Sequence, residues 1–155
     1  MRLRFVWPGK TKSPELRALQ SFYAGRIEAL ASIEIVETRE ARGFDEKQAE
    51  KIKAQEALGL EKHLEGVYSI CLLDQGKEMT SGEFARFIRR QAEDAGKTLG
   101  FVVGGFLGLA DRIVEKADAR LSLSRLTFPH ELTRVVLLEQ VYRALTIIRG
   151  QHYAK

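Results

Sequence analysis

The sequence predicts an α/β fold, a largely parallel sheet with helices on both faces, built by residues 1–155 as a single domain. Three observations predict it. Strand-like and helix-like segments alternate from end to end. Residues 67–73 and 98–103 are nearly continuous apolar runs, the pattern of strands buried on both faces. Helix-start signals at Ser13-Pro14, at Thr80 with Glu83, and at Pro129 punctuate the rest.

Each element has its own warrant. Residues 2–7 alternate basic and apolar, with Leu3, Phe5 and Trp7 on one side, and stop at Pro8-Gly9. Ser13 caps a helix with Pro14 in its first position. Leu16, Leu19, Tyr23, Ile27 and Leu30 carry that helix to Ala31 at helical spacing. Residues 33–37 form a short second strand, and the polar, basic residues 39–43 a loop. Asp45 caps a mostly exposed helix, highly charged over 46–56, whose charges are read as solvated and without function. His63 reads as a helix-end residue. Residues 67–73 are the buried third strand, and Asp74-Gln75-Gly76-Lys77 follows it. Thr80 and Glu83 make a capping box; Phe84, Phe87, Ile88 and Gln91 continue that helix to Gly96. Residues 98–103 run straight into Gly104-Gly105. A short helix at 111–116, capped by Asp111 or its neighbour, and a short strand at 119–121 come next.

Pro129 is expected at the first position of the last helix, where its missing N–H costs nothing. Leu132, Val135, Leu138, Val141, Leu145 and Ile148 recur at helical spacing, Val136, Leu137 and Ile147 widen the face, and Gly150 ends it. That breadth suggests a buried helix or a subunit interface, and the interface is favoured.

Bulk properties narrow the function classes. The 155 residues suffice for a core without disulfides or metals, and none is expected. Net charge is +4, a weak preference for an anionic partner. The one cysteine, Cys71, lies in an apolar run and reads as a small buried hydrophobe. The N-terminal apolar run is too short for a signal peptide, and no stretch is long enough to span a bilayer, so a cytoplasmic protein without a membrane partner is expected.

In parallel sheets ligands sit beyond the carboxyl ends of strands. Three such ends carry suggestive turns: Leu73-Asp74, Gly104-Gly105, and the loop at 123–128. The glycine turn is not a dinucleotide fingerprint, because that motif follows the first strand, where this chain has Pro8-Gly9-Lys10.

The segments LDQGKEMTSGEFA, FVVGGFLGL and LSLSRLTFPHELTRVVLLEQVYRA, in that order, resemble the bacterial large-subunit rRNA pseudouridine N3-methyltransferase H family, of the SPOUT superfamily. The resemblance runs through the whole chain and is strongest from Leu72 onward. It implies a C-terminal part threaded as a trefoil knot, a homodimer, S-adenosylmethionine as methyl donor, and the ribosome as partner. The product would be N3-methylpseudouridine in a large-subunit rRNA stem-loop at the subunit interface. Alternatives are a knotted methyltransferase acting on another RNA, such as tRNA, or a non-catalytic ribosome-binding relative.

The residues are compatible with that chemistry. Gly104 and Gly105 let the backbone approach the cofactor's methionine or ribose part. Leu73, Leu123, Leu126 and Phe128 are candidates to wall an adenine slot, with Ser124, Arg125 and Thr127 offering mainly main-chain contacts. The same apolar residues also read as plain core. The N3 proton must leave, so a base or an anion-stabilising group is expected. Candidates are His130, Arg134, His152 and Tyr153. His130 also reads as a hydrogen-bonded residue fixing the loop to the helix, and Arg134 as an ion-pair partner of Glu131 or Glu139. The tail departs from the family's pattern of Tyr-His and a basic residue: Tyr153 and Lys155 keep their places, but Ala154 stands where the His is usual.

Overall fold

The computed structural model describes residues 1–153. Five strands, β1 (Arg2–Pro8), β2 (Ser32–Thr38), β3 (Tyr68–Glu78), β4 (Leu99–Val102) and β5 (Ala119–Ser122), form one sheet in the order β2-β1-β4-β3-β5. Every pairing is parallel. All strands therefore point their carboxyl ends to one edge, and the ends of β1, β4, β3 and β5 are neighbours there.

The helices are α1 (Pro14–Glu28), α2 (Ala49–Glu61), α3 (Ser81–Ala95), α4 (Asp111–Lys116) and α5 (His130–Ile148). They divide between the two faces because strand side chains alternate. Phe5, Ile70, Phe101 and Leu121 pack against α1, α3 and α5, with Phe5 and Phe101 stacked at 5.2 Å. Val6, Cys71 and Val102 turn the other way and pack with Ala57 and Leu60 of α2 and Ile113 of α4. The Cys71 thiol points to the Ile113 carbonyl at 3.8 Å, and burial pushes its pKa up to about 11. It is the small buried hydrophobe expected.

The local signals act where they were read. Ser13 accepts from the Leu16 N–H, with Pro14 at the helix start. Thr80 and Glu83 exchange both capping-box hydrogen bonds, and Gly96 closes α3 at φ +55°. Four expectations need correction. Strand β3 does not stop before Asp74. It runs to Glu78 through a bulge, since Leu72 and Lys77 both pair with Leu121. Gly76 permits this: a Cβ there would stand 2.6 Å from the Leu121 carbonyl carbon. Pro129 is the N-cap rather than the first helical residue; its ψ of 142° is extended and its carbonyl accepts from the Thr133 N–H. The helix at 49–61 buries Glu56, Ala57 and Leu60 and is not merely a solvated face. The broad apolar face of α5 is largely covered within the chain, by α1 and α3, so breadth alone does not call for a second subunit.

Among the described residues no helix is long and apolar enough to cross a membrane.

Candidate active site

At the carboxyl edge, β4 leaves the sheet through Val103, whose N–H donates to the Val6 carbonyl, and enters a tight turn. The Gly108 N–H donates to the Gly105 carbonyl at 3.0 Å, closing Gly105-Phe106-Leu107-Gly108, with Gly108 at φ +88°. Gly104 is pressed against this turn from within: a Cβ there would lie 2.6 Å from the Gly108 carbonyl carbon and 2.9 Å from the Leu109 nitrogen. Real Cβ atoms do not approach backbone so closely, so the turn exists only with glycine at 104.

Beside it, the β3 bulge and the loop after β5 are tied together. The Ser122 hydroxyl lies 3.1 Å from the Asp74 carbonyl and 2.9 Å from the Ser124 carbonyl. The Leu126 N–H donates to the Ser124 hydroxyl at 3.0 Å. The three predicted turns thus sit on adjacent strand ends. Leu73, Leu123, Ser124 and Phe128 are half-buried; Arg125 and Thr127 are exposed, Arg125 lying 3.6 Å from Glu78. Phe106 and Leu126 are 72% and 74% exposed, more than any other large apolar side chain described, and both rise from these loops. Solvent-facing apolar groups on main-chain loops fit a flat, partly apolar ligand, such as an adenine nucleoside.

The four proton-handling candidates fall into two groups. His130 is half-buried in the first turn of α5. Burial, then the Arg134 charge, holds its pKa below the ordinary value, against Glu131 and Glu40. Arg134 is fully buried and serves the chain itself: its guanidinium donates to the Pro8 carbonyl (2.7 Å), the Gly9 carbonyl (3.1 Å) and the Thr11 hydroxyl (3.1 Å). Desolvation lowers its pKa to about 10, which leaves it charged at neutral pH. Neither suggested ion pair forms. Glu131 accepts from the Lys12 and Ser13 N–H groups, and Glu139 pairs with Arg143. The second group is the tail. Tyr153 packs edge-on against Tyr142 at 4.9 Å with the Arg143 guanidinium 4.5 Å from its ring, and His152 is exposed. Eleven helical residues, a rise of about 18 Å, separate His130 from Tyr142, so one chain does not bring the two groups together. Ala154 and Lys155 lie outside the described residues.

Two carboxylates at this edge escaped the sequence reading. Glu40 packs over Gly9, where a Cβ would meet its carboxyl at 2.4 Å, and it pairs with Lys12 at 3.2 Å. Glu56 is 6% exposed, and its Oε1 lies 2.9 Å from where a Gly105 Cβ would stand. Burial raises its pKa, and Glu40 adds to the rise. The signal for Glu56 was its place four residues from both Ile52 and Leu60, on the helix face that packs inward.

The His130 shift has a testable sign. The folded chain resists protonating this imidazole more than the unfolded chain does. Its contribution is full above the ordinary His value of about 6.5 and is lost as pH falls from there through the lower folded value. Thermal melts are expected to show Tm declining on acidification from about pH 7.5 to about pH 5.5, and declining less in His130→Gln. Equal declines would assign the loss to other groups.

A family model described as "Predicted SPOUT methyltransferase" matches residues 1–154. Among curated relatives, proteins named ribosomal RNA large subunit methyltransferase H are similar over their whole length. The one from Geobacter sulfurreducens is 42% identical, covering 99% of both chains, and the one from Clostridium botulinum (strain Kyoto) is 36% identical, covering 100% of both. Among solved structures, a probable methylase family protein from Haemophilus influenzae superposes with a TM-score of 0.61 at 11% identity, over 99% of this chain and 70% of that one. Archaeoglobus fulgidus Nep1, solved bound to S-adenosylhomocysteine, superposes with a TM-score of 0.50 at 10% identity, over 97% and 100%.

Proposed function

The chain belongs to the SPOUT methyltransferase family, and on that premise we propose that it transfers the methyl group of S-adenosylmethionine to N3 of a pseudouridine in large-subunit (23S) rRNA, in the stem-loop at the ribosomal subunit interface. The observation that carries the reading is the set of three adjacent strand-end loops, built on Gly104 and topped by Phe106 and Leu126, in a chain 42% identical end to end to a named rRNA methyltransferase.

The cofactor would lie against Leu73, Gly104, Gly105 and residues 123–128, with main-chain groups meeting its polar edges. Bound there, it supplies an activated methyl group. The protein's work is then positioning and handling of the N3 proton. Burial keeps His130 neutral near pH 7, so it can accept a proton. Arg134 fixes the β1 turn on which the site rests. The tail group, Arg143, His152 and Tyr153, reaches such a site only from a second protomer, which supports a homodimer. Threading of the C-terminal part as a trefoil knot is part of the same reading and rests on the family resemblance. An rRNA substrate supports a cytoplasmic location.

The test is transfer of labelled methyl from S-adenosylmethionine to ribosomes lacking the modification, with the labelled nucleotide mapped. Label at N3 of a pseudouridine in that stem-loop is expected. Label in tRNA, or no transfer by protein that binds the cofactor, would overturn the substrate assignment.

A further inference from the structure

A second feature adjoins the site and has no part in the chemistry above. Between the loop after β2 and helix α2 lies an open groove of about 530 Å³, lined by Arg39, Glu40, Arg42, Phe44, Leu58 and Lys62 among others. Its charge is one-sided. Arg39, Arg42 and Lys62 each lie beyond 4.0 Å of any carboxylate among the described residues, whereas the lone acid, Glu40, is already paired with Lys12. Its floor is apolar and open to solvent: Phe44 is 38% exposed and Leu58 51%. Gly43, at φ +83° with nothing within 4 Å of its Cβ position, turns the chain between Arg42 and Phe44.

The groove is also connected to the site. Ala41 lines it, and its main-chain N–H lowers the pKa of Glu56, the carboxylate packed on Gly105. One side chain therefore separates the groove from the turn on which the methyl donor is placed.

An aromatic face among unpaired cations is what a single-stranded nucleic acid requires. The base stacks, the phosphates meet the charges, and neither contact depends on sequence. An acidic peptide would use the cations and leave Phe44 idle. A second copy of this chain, itself carrying +4, is a poor match for a cationic groove. We propose that this groove seats an unpaired nucleotide of the substrate RNA flanking the methylated one, its base against Phe44 and its backbone phosphates on Arg39, Arg42 and Lys62. This assignment rests on the RNA-methyltransferase reading and adds to it the surface that selects an unstacked loop over a duplex.

The test uses the full chain, Phe44→Ala and the double variant Arg39→Gln/Arg42→Gln. Methyl transfer to unmodified ribosomes is measured against ribosome concentration and salt, and S-adenosylmethionine affinity by calorimetry. Phe44→Ala is expected to raise KM for ribosomes about tenfold, the loss of one base–aromatic stack. The double variant is expected to raise KM and make its salt dependence shallower by about 1.4 in the log–log slope, two single-strand phosphate contacts. In both, kcat and cofactor affinity stay at wild-type values. An unchanged KM in both variants, with the wild type active, overturns the groove. If the wild type binds cofactor but methylates no ribosomal RNA, the function reading has failed on its own. Fluorescence anisotropy with a labelled single-stranded RNA then decides: weaker binding by the variants supports the groove, equal binding overturns it. A changed sedimentation mass with unchanged RNA affinity also overturns it, in favour of a protein partner.

Discussion

Replacing Gly104 by alanine is expected to weaken S-adenosylmethionine binding about a hundredfold or more, a loss of ~3 kcal/mol, while the far-ultraviolet circular dichroism of the sheet persists. The new Cβ would stand 2.6 Å from the Gly108 carbonyl carbon and 2.9 Å from its Cα. Both are backbone, so no side-chain rotation relieves the clash, and the Gly105–Gly108 turn must open. That turn carries Phe106 at the same sheet edge as the 123–128 loop, and opening it removes one proposed wall of the pocket. Gly105→Ala is the informative control. The three atoms nearest its Cβ all belong to the Glu56 carboxyl, the end of a flexible side chain, so a smaller loss is expected, and Glu56→Ala in the same chain should return part of it. Calorimetry in which Gly104→Ala binds like the wild type would sink the pocket assignment.

Arg134→Met is expected to cost about 3 kcal/mol of stability and to lower Tm by about 10 °C. The side chain is wholly buried and makes three hydrogen bonds, to the Pro8 and Gly9 carbonyls and the Thr11 hydroxyl, with its guanidinium 5.1 Å from the Trp7 ring centroid. Methionine fills comparable space but leaves those acceptors unpaired in a dry environment. Lysine keeps the charge yet cannot span carbonyls of two successive residues and a hydroxyl with one ammonium, so Arg134→Lys should recover less than half of the loss. Denaturant unfolding of the three proteins checks this. An Arg134→Met chain as stable as the wild type, but inactive, would instead return Arg134 to the list of groups that touch substrate.

What the sequence showed of this protein divides along the range of the interactions. Caps were legible because donor and acceptor lie within three residues, as in Thr80 with Glu83 and Ser13 with Leu16. The parallel sheet was legible because a two-faced buried strand must be apolar throughout, as β4 is. The β3 bulge was not, since it depends on where Leu121 pairs, and no local pattern records register across strands. The glycine pair was legible as a place of close approach, but its cause was not: the turn backbone demands Gly104 and Glu56 crowds Gly105, before any ligand arrives. Arg134 reads from the sequence as a candidate group for the N3 proton or as an ion-pair partner of Glu131 or Glu139, yet its partners are in the turn after β1, at the opposite end of the chain. Glu56 was read as one solvated charge among many because its burial is imposed by the loop after β2 and by the β4 turn, both remote in sequence.

The strand order has a consequence for how this chain is made. Strand β1 lies inside the sheet, yet of its two neighbours only β2 is local; the other, β4, pairs Leu3 with Leu99. During synthesis, β1, α1 and β2 can assemble early, but one long side of β1 stays without hydrogen-bond partners until two-thirds of the polypeptide has been made. Contacts so distant in sequence fold slowly, and an uncovered apolar strand edge is what drives association between incomplete chains. Phe5, Val6 and Trp7, wholly buried at the end, are therefore the residues most in need of shelter at the start.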